Sequence, residues 1–311
     1  MRRRDFISSM ALGSAAGAVL GGAGSHAWSA KPSADAGKLR RICISTWSFH
    51  NYFASTREPE FKLPGEMLRL VNFPKLMAEK YKVHNIEICV PHFESAETGY
   101  LNVLKARLAE SSCKVVNMPV DIEEIWEKGG LSDPDKKVRD NAIRGAKKWI
   151  DVAATIGCKS VRCDPGKMNT KDLAPTVDSY KQLSEYGKSR EVHVIIENHG
   201  GVGSENPEEL VDLFKGVGGS YIGSLPDFAN FPNETVRAKG LQLLLPYARI
   251  VCHAKGLEFD AKGNETQFDF PKCMEITKKA GFKGVYSIEF EGSGDPYVGC
   301  QKVLNNLLKY L

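Results

Sequence analysis

Eight times in succession this chain repeats one unit: a short run rich in β-branched and apolar residues, a turn, then a longer stretch with the apolar period of an amphipathic helix. The runs read as strands over 41–46, 85–89, 114–118, 160–163, 193–197, 221–225, 250–253 and 284–289. Helices are expected near 73–82, 99–111, 133–156, 170–190, 207–215, 234–245, 270–280 and 296–310. Eight strands, each followed by a helix, predict a closed (β/α)8 barrel in a single domain over residues 39–311, not an open doubly wound sheet. Gly157, Gly187 and Gly281 fall near helix C-termini, where a left-handed cap is cheap for glycine. The stretch 51–67, with Pro59 and Pro64, is too long for an ordinary βα connection and is expected to lie over the barrel mouth.

The first thirty residues stand outside that rhythm. They carry a basic tip, a Gly/Ala-rich weakly apolar stretch and small residues suited to cleavage between Ala27 and Ala30. Arg3-Arg4-Asp5-Phe6-Ile7 resembles a twin-arginine export signal, with Arg2 where that motif usually has Ser or Thr. Residues 1–30 are therefore read as a cleaved export signal and 31–38 as a polar linker, and the protein is expected to be periplasmic or otherwise exported. After signal removal no run approaches the roughly 18 apolar residues that span a membrane. The formal charge of +4 owes three units to Arg2, Arg3 and Arg4, and no basic stripe remains to argue for nucleic acid. Oligomeric state is left open, including a homo-oligomer. Of the eight cysteines, Cys43, Cys89, Cys163 and Cys252 lie in apolar strand-like runs, where free Cys acts as a small core hydrophobe.

Glu197, Asp227, His253 and Glu289 each sit at the far end of one of the last four strands, separated by 30, 26 and 36 residues. Any one alone is more often a helix cap or a solvated edge. In a parallel barrel, however, the strand C-termini converge on one face, where active sites are built. Three carboxylates and an imidazole there form a ligand set for one divalent ion, with Mn²⁺, Mg²⁺, Co²⁺ and Zn²⁺ all compatible. Such an ion polarises a substrate carbonyl, stabilises an enediolate and makes the neighbouring C–H acidic enough for a carboxylate to abstract.

The segments IIENHG, LPDFAN, VCHAKG and SIEFEG, in that order, resemble the xylose isomerase-like TIM barrels of the sugar phosphate isomerase/epimerase family. The resemblance implies that Glu197, Asp227, His253 and Glu289 are the metal ligands, and that Glu197 and Glu289 also exchange substrate protons from opposite faces. It further implies substrate contacts for Arg162 in SVRCDPG and for Glu87 in NIEICV, the latter lining the pocket with His92. Arg162 reads equally well as an ion pair with a barrel carboxylate. His199 and Lys255 lie two residues beyond ligands and are candidates for substrate contact, with a solvated lysine the alternative for Lys255. Trp47, Phe49, His50 and Trp126 form a candidate apolar wall for a sugar ring.

Two departures from the family pattern matter. Asn230 stands where epimerase relatives commonly carry His, which places an amide at the expected substrate site. Asn117-Met118 replace a histidine of the endonuclease branch, which argues against a multinuclear phosphodiesterase centre. The expected activity is isomerisation or epimerisation of a non-phosphorylated sugar or keto-sugar. The alternatives are a lyase acting on keto-sugars or 3-keto-glycosides, and a non-catalytic carbohydrate-binding barrel.

Overall fold

A computed structural model describes residues 34–311 apart from 127, 128, 200 and 202. The expected export signal lies outside the described residues, as does the start of the expected linker. The rest of that linker is not extended chain: Ala34–Leu39 is a short helix, and Lys38 near its end donates to the Leu308 carbonyl. Its Ala, Lys and Leu residues are good helix formers.

Eight parallel strands follow: β1 (Ile42–Ser45), β2 (Asn85–Glu87), β3 (Lys114–Pro119), β4 (Ser160–Arg162), β5 (His193–Glu197), β6 (Ile222–Leu225), β7 (Val251–Gly256) and β8 (Val285–Phe290). From β1 to β6, and again from β7 to β8, each pairs with the next in chain order, and β1 also pairs with β8, giving the order β6-β5-β4-β3-β2-β1-β8-β7. The remaining seam joins β6 to β7. Pro226 follows β6 directly, and having no N–H it cannot extend the ladder. One parallel bridge between Asp227 and His253 closes the seam, with Phe228 N donating to His253 O at 3.2 Å and His253 N to Pro226 O at 2.9 Å. The barrel thus closes at two of the four expected ligands.

Strand geometry sends alternate side chains to opposite faces. Along β7, Cys252 and Ala254 join the main core between sheet and helices, while Val251, His253 and Lys255 face the barrel interior. That interior is layered. Ile195, Leu225 and Val251 pack at the bottom, Glu87, Asn117 and Ser287 lie with His253 above them, and the strand C-termini carry the charged site.

Helix starts differ from expectation where local capping intervenes. The helix expected from residue 133 begins at Lys136, after Asp135 accepts a hydrogen bond from Lys137 N. The one expected from 170 begins at Ala174, because Asn169 and Asp172 accept from Lys171 N and Ala174 N and hold the chain in turns. Gly187 is not a cap but lies inside the helix Ala174–Ser189, where a Cβ would meet the Val192 carbonyl oxygen at 2.3 Å. After β1 the chain forms a 3-10 turn, Thr46–Tyr52, and Phe61 packs against Tyr52 with ring centroids 6.0 Å apart. All eight cysteines are free and buried.

Candidate metal centre

The C-terminal ends of β5, β7 and β8 and the residue two beyond β6 bring Glu197, His253, Glu289 and Asp227 together, with one potential ligand atom from each within 4.8 Å of all the others. His253 Nδ1 is the hub: it lies 3.1 Å from Glu197 Oε1, 3.4 Å from Glu289 Oε2 and 3.5 Å from Asp227 Oδ2. All four side chains are buried. Asp227 is aimed by its own backbone. Its Oδ1 accepts from Ala229 N at 2.7 Å and Asn230 N at 2.8 Å, while Asn198 clamps its peptide by accepting from Asp227 N and donating to Asp227 O. Its other oxygen, Oδ2, is buried with no hydrogen-bond partner and points into the cluster. Buried polar atoms are almost always satisfied, so an orphaned carboxylate oxygen beside two further carboxylates and an imidazole nitrogen fits a divalent cation.

Lys255 lies on the same side, its Nζ 3.1 Å from Glu289 Oε2, 3.5 Å from Asp227 Oδ2 and 2.9 Å from Glu291 Oε2, with Asn230 Oδ1 at 3.2 Å. It is buried, not the solvated lysine of the alternative reading. Burial pushes the Glu289 carboxyl up, against the pull of His253 and Lys255, to about 7. Asn230 bridges the site: its amide also donates to Glu197 Oε1 at 3.2 Å.

Above the cluster opens a pocket of about 280 Å³ lined by Trp47, Asp121, Trp126, Arg162, His199 and Glu291 together with Glu197, Lys255 and Glu289. Of the four expected ligands only Glu197 and Glu289 reach its wall; Asp227 and His253 lie beneath. Arg162 is ion-paired, its NH2 reaching both Asp121 oxygens at 2.9 Å, its NH1 bonded to Asp164 and its Nε 3.5 Å from Glu197 Oε2. His199 donates toward Asp164 at 3.1 Å. Burial would lower its pKa, but the Asp164 bond and the Glu197 charge outweigh it and carry His199 up to about 9.

The two tryptophans stand alike on their respective walls. Trp126 Nε1 donates to Asp121, which holds Arg162, and Trp47 Nε1 donates to Glu291, which holds Lys255.

Several expectations need correction. Glu87 does not line the pocket; it is fully buried under His253, 3.0 Å from Nε2. His92 is also buried, stacked on Phe53 at 4.0 Å between the hydroxyls of Thr46 and Thr56. Phe49 belongs to the core, edge-on to Phe73 and Tyr297. From the long connection after β1, Trp47 alone lines the pocket, because residues beyond Tyr52 pack beside the 3-10 turn. Asp121 and Asp164 were not picked out from the sequence, although the Asp directly after SVRC was a visible signal beside Arg162.

A family model described as the xylose isomerase-like TIM barrel matches residues 77–307. No curated protein matches the chain. Among solved structures, D-allulose 3-epimerase from Methylomonas sp. is 12% identical, with 87% of this chain and 98% of that one covered at a TM-score of 0.66. The IOLI protein with a binding zinc atom is 15% identical, covering 87% and 99% at a TM-score of 0.65. A xylose isomerase-like TIM barrel protein from Mycobacterium smegmatis in complex with magnesium is 14% identical, covering 87% and 97% at a TM-score of 0.59. At these identities the likeness concerns the fold, while the matched model spans most of the sequence: the chain belongs to the xylose isomerase-like TIM barrel family.

Proposed function

We propose that this protein is a metal-dependent isomerase or epimerase of an uncharged sugar or keto-sugar. The observation that carries the proposal is that, of the four candidate ligands, only Glu197 and Glu289 line the pocket, and they do so from β5 and β8, three strands apart in an eight-strand ring. A divalent ion held by Glu197, Asp227, His253 and Glu289 would supply a Lewis acid that lowers the pKa of a C–H beside a sugar carbonyl. One glutamate then takes that proton, and a carboxyl group on the same or the opposite wall returns one to carbon; the face used decides between retained and inverted configuration. Lys255 is ion-paired with Glu289 and Asn230 donates to Glu197, which holds the two glutamates in place. Trp47 and Trp126 offer apolar surface, and the pocket lies at the small end of the roughly 300–1,000 Å³ range of ligand sites, which suits one sugar ring.

Substrate charge follows from the pairing of the cations. Among the described residues Arg162 is committed to Asp121 and Asp164, Lys255 to Glu291 and His199 to Asp164, while four carboxylates line the pocket wall, which favours an uncharged sugar over a phosphate ester. The sugar epimerases among the structural neighbours support the reading. Action outside the cytoplasm is proposed on the leader motif Arg3-Arg4-Asp5-Phe6-Ile7 alone.

The test is turnover in deuterated water of a panel of neutral ketohexoses, their terminal phosphate esters and 3-keto-glycosides. Deuterium on the carbon beside the carbonyl of a neutral sugar supports the proposal. Release of an aglycone would replace it with a lyase, and turnover with neither solvent exchange nor a primary isotope effect from substrate deuterated at that carbon would reject proton abstraction.

A further inference from the structure

We infer that Glu87 is a positioning residue for the metal centre: its carboxylate fixes the His253 ring so that Nε2 carries the proton and Nδ1 presents its lone pair to the cluster. The inference rests on the metal-site reading but concerns a residue outside both the ligand set and the pocket. Glu87 closes β2 and is fully buried in the middle layer of the barrel. Its Oε1 lies 3.0 Å from His253 Nε2 and accepts from Ser287 Oγ at 3.3 Å, and its Oε2 accepts from Asn117 Nδ2 at 2.8 Å.

Asn117 Oδ1 accepts from Ser160 Oγ at 2.8 Å, with its NH₂ turned toward Glu87. Around Glu87, then, the neighbours donate. Both Glu87 oxygens are thus engaged as acceptors, Oε2 by the Asn117 amide and Oε1 by the Ser287 hydroxyl. An acceptor-only carboxylate requires Nε2 of His253 to be the donor.

In a neutral imidazole that leaves the lone pair on Nδ1, the nitrogen facing Glu197, Asp227 and Glu289. The opposite tautomer would turn an N–H toward the cation. An anion in the barrel interior without such a partner would be costly, so the pairing constrains both residues. Outer partners of ligating histidines typically contribute about 10–100-fold in metal affinity.

The test uses the full chain stripped of metal, with Co²⁺ as the probe. Calorimetry should show Glu87→Gln binding Co²⁺ about 10–100-fold more weakly than wild type. In the cobalt-loaded proteins, the hyperfine-shifted imidazole N–H proton should exchange slowly with water in wild type and rapidly in the variant, a readout that a merely structural role would leave unmoved. Circular dichroism of the metal-free proteins checks the fold. If Glu87→Gln fails to fold, Asn117→Ala, which keeps Glu87 but frees its Oε2, should still weaken binding several-fold and speed N–H exchange. A folded variant with unchanged affinity or unchanged N–H exchange overturns the role of Glu87 while leaving the metal site standing. Absence of Co²⁺ binding to wild type overturns both.

Discussion

Arg162→Met should cost about 3–5 kcal/mol of folding stability, the range for removing one partner of a buried ion pair. The structure sets that scale. The guanidinium is nearly inaccessible, pairs with both oxygens of Asp121 and with Asp164, and lies beside Glu197. Methionine fills much of the space but leaves Asp164, which is 4% exposed, with His199 as its remaining cationic partner. Asp121 keeps the Trp126 N–H. For a domain of this size, with about 2 °C lost per kcal/mol, the melting temperature should fall by about 6–10 °C. Arg162→Lys should be intermediate, because an ammonium keeps the charge but cannot reproduce the two-pronged contact with Asp121. Urea denaturation of metal-free protein is the assay, so that lost ion binding does not contribute. A loss below about 1 kcal/mol, the scale of solvent-screened pairs, would refute the description of Arg162 as a buried clamp.

Glu289→Gln should lower turnover by about 10²–10⁴ while the protein stays folded, since the amide can neither take the proton nor bring charge to the cluster; near wild-type rates would remove Glu289 from the acid/base role. His92 carries a pH dependence. Burial, reinforced by the charge of His50, pushes its pKa down to about 3 from an ordinary 6.5, so the native state resists its protonation. Its contribution is present above pH 6.5 and lost as pH falls toward 3, amounting to about 2 kcal/mol at pH 5. Denaturation at pH 7 and pH 5 should show wild type losing that much more than His92→Gln, and equal losses would count against the assignment.

Much of the fold was legible because its signals are periodic. Every strand carries an apolar run, and the four candidate ligands recur one per strand–helix unit at the ends that a parallel barrel gathers together. The parts that sequence left open depend on three-dimensional neighbours. Glu87 follows an apolar strand much as Glu197 does, yet one faces the pocket wall and the other the layer beneath. The difference lies in how far each strand reaches up the barrel, and β2 also shifts register against β3 between Ile86 and Glu87. Arg162 was visible as a cation at a strand end, but its partners Asp121 and Asp164 come from different connections, 41 residues before and 2 residues after it. Lys255 stood in the sequence between a substrate contact and a solvated lysine, and only the folded barrel brings Glu289, Glu291 and Asp227 around it. The closing seam at Pro226 could not be read as a seam at all, since proline marks where a ladder stops but not which strand lies across the gap.

The proposed chemistry requires one divalent ion held among Glu197, Asp227, His253 and Glu289. The most direct measurement is elemental analysis of purified wild-type and Asp227→Asn proteins after equilibrium dialysis against Mn²⁺, alongside calorimetry of the metal-free forms. One ion per wild-type chain is expected, with clearly weaker binding in Asp227→Asn, whose amide nitrogen would replace the orphaned Oδ2. No ion in wild type, two or three ions per chain, or an affinity indifferent to Asp227→Asn would contradict it.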